Sequence, residues 1–327
     1  VGGAARDLLL DREPRDLDIL MEAEESAEGA ILGGLASAAG MEPILFDRRP
    51  PPTHRFIVQG VVVDVSFCAP GGLHAALARR DFTINAMAIP IAALAERLPV
   101  PADLSGRVLD PLGGLADLRS RLIRSASPHA LADDPLRMLR AVRLAAVLPE
   151  FTVDPGLAEE IRSLAGRIAE SAPERVQSEI EIIFRSARAG AALRSMDSWG
   201  LLAPLLPELE PLRGLHQPAR HHDHDAFDHT LLAVAEADLL ALGLQAAGVP
   251  AIGGEDRVVL KWAALLHDAG KAASATVDAD GTPHFYGHEA ISASLAEDAL
   301  RRLRVPQRIA EPVVKLIDLH LRLGSLA

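Results

Sequence analysis

A chain of 327 residues exceeds one ordinary domain and leaves room for two or three compact units. Apolar residues make up 49% and charged residues 24%, the balance of a soluble globular protein, and the single cysteine, Cys68, excludes an intrachain disulfide framework and suits the cytoplasm. A net charge of −12 argues against a generally sticky nucleic-acid binder, and no apolar run reaches the roughly 18 residues of a membrane span.

In chain order, residues 1–125 mix helix and strand signals. A Val1-Gly2-Gly3 turn leads into a helix over 4–10. A strand comes next over 17–21, then a helix over 27–39 ended by Gly40. Residues 55–58 and 61–66 flank Gln59-Gly60 and read as a hairpin. Residues 82–89 read as a further helix or strand, and Gly113-Gly114 marks a turn within 109–124. From about 130 to 205 every segment reads helical, opening at Asp133-Asp134-Pro135 with an apolar stripe of Leu136, Leu139, Val142 and Leu144. Pro204, Pro207 and Pro211 read as a linker, and the rest, helical and histidine-rich, as a third unit. Val1 reads as the end of a strand whose earlier residues are absent, and residues 323–327 stop without a closing element. Both terminal units are therefore expected to be truncated.

Asp16-Leu17-Asp18 on a strand would place two carboxylates on one face, where they can share divalent metals. Paired metals clamp the attacking and leaving oxygens of an in-line displacement. Gly2 and Gly3 let backbone N–H groups approach a triphosphate at a helix N-terminus. A bare pair of this kind is more often a surface turn with solvated acids, so its meaning depends on the motifs further along the chain. Arg119, Arg121, Arg124, Arg137, Arg140 and Arg143 crowd one stretch, which reads as a local basic groove or as a solvated helix face.

The segment Arg79-Arg80-Asp81-Phe82-Thr83-Ile84-Asn85-Ala86-Met87-Ala88, with Gly2-Gly3-Ala4-Ala5-Arg6-Asp7 and Asp16-Leu17-Asp18, resembles the head of the bacterial tRNA CCA-adding enzyme and poly(A) polymerase family. This is class II of the DNA polymerase beta superfamily. Further matches come in the family's order: Asp110-Pro111-Leu112-Gly113-Gly114, Asp117-Leu118, the run from Asp134 to Arg143, and Glu174-Arg175. The resemblance covers roughly residues 1–200. It implies an α+β fold, with a polymerase-beta-like nucleotidyltransferase head on a small mixed sheet (1–125), an all-α neck (126–212) and an all-α HD domain (213–327). It implies Asp16 and Asp18 as metal-binding catalytic carboxylates, and Asp64 as a third acid helping the RNA 3′-hydroxyl lose its proton. It also implies Gly2, Gly3, Arg6, Arg80, Asp81 and Asn85 as nucleotide contacts, Arg80 and Asp81 meeting phosphate and ribose.

Asp134 and Arg137 lie three apart on a helix and share a face. An acceptor beside donors fits the edge that cytosine and adenine share, an amino group next to a ring nitrogen, and rejects uracil and guanine. Arg140 and Arg143 are expected to face nucleotide and the tRNA acceptor end. Asp133 stands where the family usually has glutamate. The segment from Phe67 to Ala78 is shorter than the family's loop there, which puts the terminal adenosine in question.

His267-Asp268-Ala269-Gly270-Lys271, with His229, His288 and His320, resembles an HD domain. Imidazole and carboxylate suit a divalent metal, and Lys271 is placed to meet a phosphate. The cluster His221, His222, Asp223, His224 and Asp225 reads as a solvated loop. The expected enzyme adds CMP and AMP to tRNA 3′ ends without a nucleic-acid template, by two-metal phosphoryl transfer releasing pyrophosphate. Its cofactor is expected to be Mg²⁺, with a second divalent metal in the HD domain. Its partners are the tRNA 3′ end, CTP and ATP, with no membrane and no obligate protein partner. The alternatives are CC addition only, a poly(A) polymerase, or an HD-domain phosphohydrolase with an inactive head.

Overall fold

The structure is a computed structural model and describes all residues except 48–50, 96–104, 218–223, 247–251 and 325–327. The chain divides into two compact units, residues 1–133 with 152–157, and residues 134–151 with 158–327.

The first unit begins with α1 (Gly2–Leu9), β1 (Asp16–Glu22), α2 (Glu25–Ala39), β2 (Ile44–Asp47), β3 (Thr53–Val58) and β4 (Val61–Cys68). The four strands form one sheet in the order β1-β4-β3-β2, with β1 and β4 parallel and the other pairs antiparallel. Gln59 and Gly60 both take positive φ, as a two-residue turn between right-twisted strands demands. Side chains alternate along β4. Val63, Val65 and Phe67 join Phe56, Ile19 and Met21 in a core closed by Leu32, Leu35 and Ala36 of α2. Asp64, one residue out of phase with that set, is left for the opposite face.

After α3 (Leu73–Ala78), the stretch expected as a helix or strand over 82–89 is neither. It is a buried connector with a single 3₁₀ turn, Thr83–Asn85, tied by isolated bridges from Phe82 to Ser125 and from Ala88 to Leu109. Burial on all sides removes the polar positions that would have set a period. Beyond α4 (Ile91–Ala95), helix α5 (Gly114–Arg119) starts so close to this connector that a Cβ on Gly114 would stand 2.2 Å from the Thr83 carbonyl oxygen. The Asp110 carboxylate accepts the Gly114 and Leu115 amides at 2.7 and 2.9 Å, so this motif clamps the connector in place. β5 (Leu122–Ile123) pairs in parallel with β6 (Thr152–Val153), a strand inside the stretch expected to be wholly helical. Helix α6 (Ala130–Asp133) ends the first unit's main run.

Helices α7 (Leu136–Val147), α9 (Pro173–Arg185) and α10 (Ala189–Ser198), with α8 (Pro155–Leu164) from residue 158 on, belong to the second unit, where Leu139, Val142, Ile161, Ile180 and Ile183 are buried. The proline-marked stretch is instead built of short helical turns that bury their leucines. α11 (Leu202–Leu205) and a 3₁₀ turn, Pro207–Leu212, bury Leu205, Leu209 and Leu212. Next come α12 (Ala226–Ala246), α13 (Gly254–Leu266), α14 (Lys271–Ser274), a hairpin of β7 (Thr276–Val277) and β8 (Pro283–His284), α15 (His288–Arg302) and α16 (Gln307–Gly324). Trp262 of α13 meets Phe184 of α9 edge-on with ring centroids 4.9 Å apart. Buried Lys261 pairs with Asp238 of α12 at 2.5 Å, and Asp238 also accepts the Gly190 amide at 2.9 Å. Among the described residues no helix is long and apolar enough to cross a membrane.

Candidate active site and a histidine–aspartate cluster

The register of the parallel pair sets the first site. Asp18 lies opposite Asp64, and Asp16 two residues earlier shares their face. Loss of water around Asp16, and then the charges of Asp18 and Asp64, raise its pKa above the usual carboxylate value. Two arginines meet this charge. Arg55 donates to both oxygens of Asp64, at 2.8 and 2.7 Å, and Arg80 reaches Asp18 Oδ2 at 3.3 Å. Arg55 also lies over the Phe46 ring at 3.4 Å. An all-oxygen donor set with this much mutual repulsion fits a hard divalent cation.

Gly2 sits against the same pair. Its φ is +70°, and a Cβ there would stand 2.6 Å from Asp18 Oδ2 and 2.7 Å from Arg80 Nη1. Gly3 continues α1, and Arg6 one turn on donates to Asn85 Oδ1 at 2.8 Å. Asn85 donates in turn to Asp81 Oδ1 at 2.9 Å, an oxygen that also accepts the Phe82 amide. Asp81 and Asn85 are thus buried in one network with Arg6.

On the second unit, Asp134 precedes α7 and Arg137 lies in its first turn. Arg175 of α9 donates to both Asp134 oxygens, at 3.2 and 2.7 Å. Burial by itself would raise the Asp134 pKa; Arg175, with Arg140 and Arg137 nearby, reverses this and holds it below the usual value. One turn along α9, buried Glu179 meets Arg140 at 3.2 Å and Arg143 at 2.7 Å. Arg140 and Arg143 therefore carry a carboxylate partner. In the first unit Arg124 pairs with Asp117 at 3.3 Å, which also accepts the Thr83 hydroxyl at 2.7 Å.

The five expected metal ligands of the histidine-rich segment converge. Asp268, buried, has His229 Nε2 at 3.5 Å and His267 Nε2 at 3.1 Å from Oδ2, and His288 Nε2 at 3.2 Å from Oδ1. The His320 ring lies 5.3 Å from that of His267 and 5.2 Å from that of His288. His267, His288 and His320 each tie Nδ1 to a main-chain carbonyl three residues back, at 2.9, 2.7 and 2.6 Å. That fixes the tautomer and turns the Nε2 lone pair inward. The Nε2 atoms of His229, His267 and His288 all face the Asp268 carboxylate, a donor set that fits a divalent metal. Burial opposes ionisation of Asp268, but His267, His288 and Lys271 outweigh it and keep its pKa well below the ordinary range. Burial likewise works to lower His288, where Asp268 and the Phe285 carbonyl win and raise it, whereas His320 is lowered by burial. Lys271 Nζ lies 2.7 Å from Asp268 Oδ2 and 2.5 Å from Gln217 Oε1. Of the further histidine cluster, His221, His222 and Asp223 lie outside the described residues, and Asp225 caps α12 by accepting the Asp228 amide.

Reading by residue type missed Arg55 and Arg175. Arg55 was findable: a two-residue turn at 59–60 fixes the pairing of 55 with 64. For Arg175 the signal was weaker, since the Glu174-Arg175 motif is visible but its partner lies 41 residues away.

Three families match in chain order: "Poly A polymerase head domain" over residues 58–124, "Probable RNA and SrmB- binding site of polymerase A" over 150–212, and "HD domain" over 226–327. The chain is 34% identical to the multifunctional CCA protein of an Azoarcus species, covering 94% of this chain and 69% of that one. It is 32% identical to the A-adding tRNA nucleotidyltransferase of Deinococcus radiodurans, covering 98% and 68%. Among solved structures it is similar to a tRNA-processing enzyme with CTP, with a TM-score of 0.66 and 23% identity over 100% of this chain and 75% of that one, a likeness of fold.

Proposed function

This chain belongs to the family of CCA-adding tRNA nucleotidyltransferases, and on that premise we propose that it transfers CMP and AMP to the 3′ end of tRNA. The observation that carries this reading is the close approach of Gly2, Asp18 and Arg80, with Asp64 in register beside them. A glycine without Cβ leaves the backbone open to a triphosphate where carboxylates and a guanidinium already meet.

In this reading Asp16 and Asp18 hold Mg²⁺, which when bound neutralises phosphate charge and clamps the reacting oxygens. Arg80 orients the phosphates, and Asp81 and Asn85, held with Arg6, fix the wall on which the ribose sits. Asp64 accepts the proton of the RNA 3′-hydroxyl. Arg55 engages each of its oxygens once, and a carboxylate oxygen has two lone pairs, so an acceptor site remains. Asp134 accepts from the amino group of cytosine or adenine while Arg137 donates to the ring nitrogen. Arg140 and Arg143, neutralised in part by Glu179, face nucleotide and the RNA end. The His229, His267, Asp268, His288 and His320 cluster holds a divalent metal of its own and gives the HD domain a phosphohydrolase site. The enzyme works in the cytoplasm.

The test offers the protein tRNAs ending at the discriminator base, at C and at CC, each with one labelled nucleotide. CMP on the first two and AMP on the third is expected, with activity lost in Asp16→Asn. CMP without AMP would mean CC addition. AMP alone would mean an A-adding enzyme, the activity by which the Deinococcus relative is named. Long A tracts would mean a poly(A) polymerase. Phosphatase activity with no incorporation would overturn the reading.

A further inference from the structure

We propose that the β7–β8 hairpin presents a nucleobase-binding platform, Tyr286 stacked on His284, which makes nucleotides the phosphoesters that the neighbouring histidine–aspartate cluster takes. This rests on the reading of that cluster as a phosphohydrolase site and adds a surface that recognises the rest of the substrate. The chain has eight phenylalanines, two tryptophans and one tyrosine. Among the large apolar side chains left exposed, the aromatic ones are Phe46 and Tyr286. Phe46 is covered by the Arg55 guanidinium, 3.4 Å from its ring centroid. Tyr286, 78% exposed, keeps one ring face on His284, with centroids 5.2 Å apart and planes 7° from parallel, and presents the other to solvent.

The hairpin holds this pair in place. His284 Nε2 lies 2.5 Å from Asp278 Oδ2. The Asp278 backbone closes the turn, its amide donating to the Thr282 carbonyl and its carbonyl accepting the Gly281 amide, both at 3.0 Å. Beyond the stacked pair the chain leads straight to the cluster. Phe285, between His284 and Tyr286 in sequence, has its ring centroid 5.6 Å from Lys271 Nζ, and its carbonyl accepts from His288 Nδ1 at 2.7 Å. Lys271 Nζ in turn lies 2.7 Å from Asp268 Oδ2. Gly287, at φ +74°, turns the chain into α15, so Tyr286 stands two residues from His288 of the cluster. Two residues span at most about 7 Å of backbone, a reach that one nucleotide bridges with its base on Tyr286 and its phosphate at Lys271 and the cluster. Every base has a π face, so such a platform selects nucleotides over other phosphoesters without choosing among sequences.

Because Tyr286 is the one tyrosine of the chain, protein grown with ¹³C-tyrosine gives a single set of ring resonances that reports on the platform alone. The full chain, supplied with Zn²⁺, a diamagnetic ion that imidazole ligands accept, is titrated with AMP, with ribose 5-phosphate and with a trinucleotide ending in a 3′-phosphate. A saturable upfield ring-current shift is expected with AMP or the trinucleotide and none with ribose 5-phosphate. The tighter of the first two tells a free nucleotide from an RNA end. Phosphate release from AMP is measured alongside. Tyr286→Ala should raise KM about 10- to 100-fold with kcat little changed, and Tyr286→Phe should keep the parent's KM. The KM for ribose 5-phosphate should not change in either variant. A ring that does not shift, or that shifts equally with ribose 5-phosphate, would overturn the platform and leave the phosphohydrolase reading standing, as would an equal KM for AMP in parent and Tyr286→Ala. A base-dependent shift with no phosphate released from any probe would keep the base site and overturn the phosphohydrolase reading. The ring shift is read on the unaltered protein, and circular dichroism checks the variants.

Discussion

Replacing Gly2 by Ala places one methyl group between the ends of two charged side chains. The added carbon would stand 2.6 Å from Asp18 Oδ2 and 2.7 Å from Arg80 Nη1, where ordinary contact begins at 3.4 Å. Both polar atoms must retreat by about 0.7–0.8 Å, or the backbone must move by as much. Because displacements near 1 Å can cost ~10²-fold in a positioned reaction, kcat for CMP addition is expected to fall about 10²-fold. The backbone adds its own strain. Gly2 lies at φ +70°, which a residue with a Cβ occupies at a cost of roughly 1–2 kcal/mol. Against a total stability of about 5–15 kcal/mol this leaves the protein folded, with a melting temperature lower by a few degrees. The assay is single-nucleotide extension of a tRNA ending at the discriminator base, run beside a thermal melt. Gly33→Ala is the control. It lies in α2 with open space around the added methyl, and should keep full activity while stabilising the helix by up to about 1 kcal/mol. Extension by Gly2→Ala within twofold of the parent would refute the argument that this approach must stay bare. A loss of activity that tracks unfolding would refute it equally.

Arg175→Ala removes the bidentate partner of Asp134 and, at roughly 1.5–3 kcal/mol for a charged hydrogen bond, should raise KM for CTP and ATP about 10- to 100-fold. Discrimination against UTP should fall with it, and kcat measured at saturation should change less. The same pair gives a pH signature. The folded-state pKa of Asp134 is depressed, so its contribution to stability is fully present above the unfolded value of about 4 and lost as pH falls through the folded one. The difference in melting temperature between the parent and Asp134→Asn should therefore shrink as pH drops below about 4; a constant difference would contradict the assignment. In the core of the second unit, Lys261→Met strands Asp238 without its cation and should cost about 3–5 kcal/mol in chemical denaturation. Adding Asp238→Asn, which keeps an acceptor for the Gly190 amide, should recover part of that loss.

Periodicity and turn chemistry made the first unit's sheet largely legible: the Gln59-Gly60 turn and the alternation of β4 dictate which side chains reach the core. The connector over 82–89 was not legible, because a segment buried on every side carries no period. The proline-marked stretch misled for a related reason. Proline reports a break in helical hydrogen bonding, and Leu205 and Leu209 between such breaks are free to be core.

At the sites, residue types were legible and their partners were not. A carboxylate taken from water is stabilised by charge of the opposite sign, and four of the site acids meet it. Asp64 meets Arg55, Asp18 meets Arg80, Asp134 meets Arg175 and Asp268 meets Lys271. Only the first and last of these pairs are set by local spacing, through hairpin register and through i,i+3 on consecutive turns. Arg80 is 62 residues from Asp18 and Arg175 is 41 from Asp134, separations that only the fold can close. Burial, and then the charges of Asp18 and Asp64, raise the Asp16 pKa, so a proton and the proposed metal compete for this carboxylate as pH falls. The acid limb of Mg²⁺ affinity should follow Asp16 and disappear in Asp16→Asn while persisting in Arg175→Ala, whose carboxylate partner lies outside the head's acid cluster.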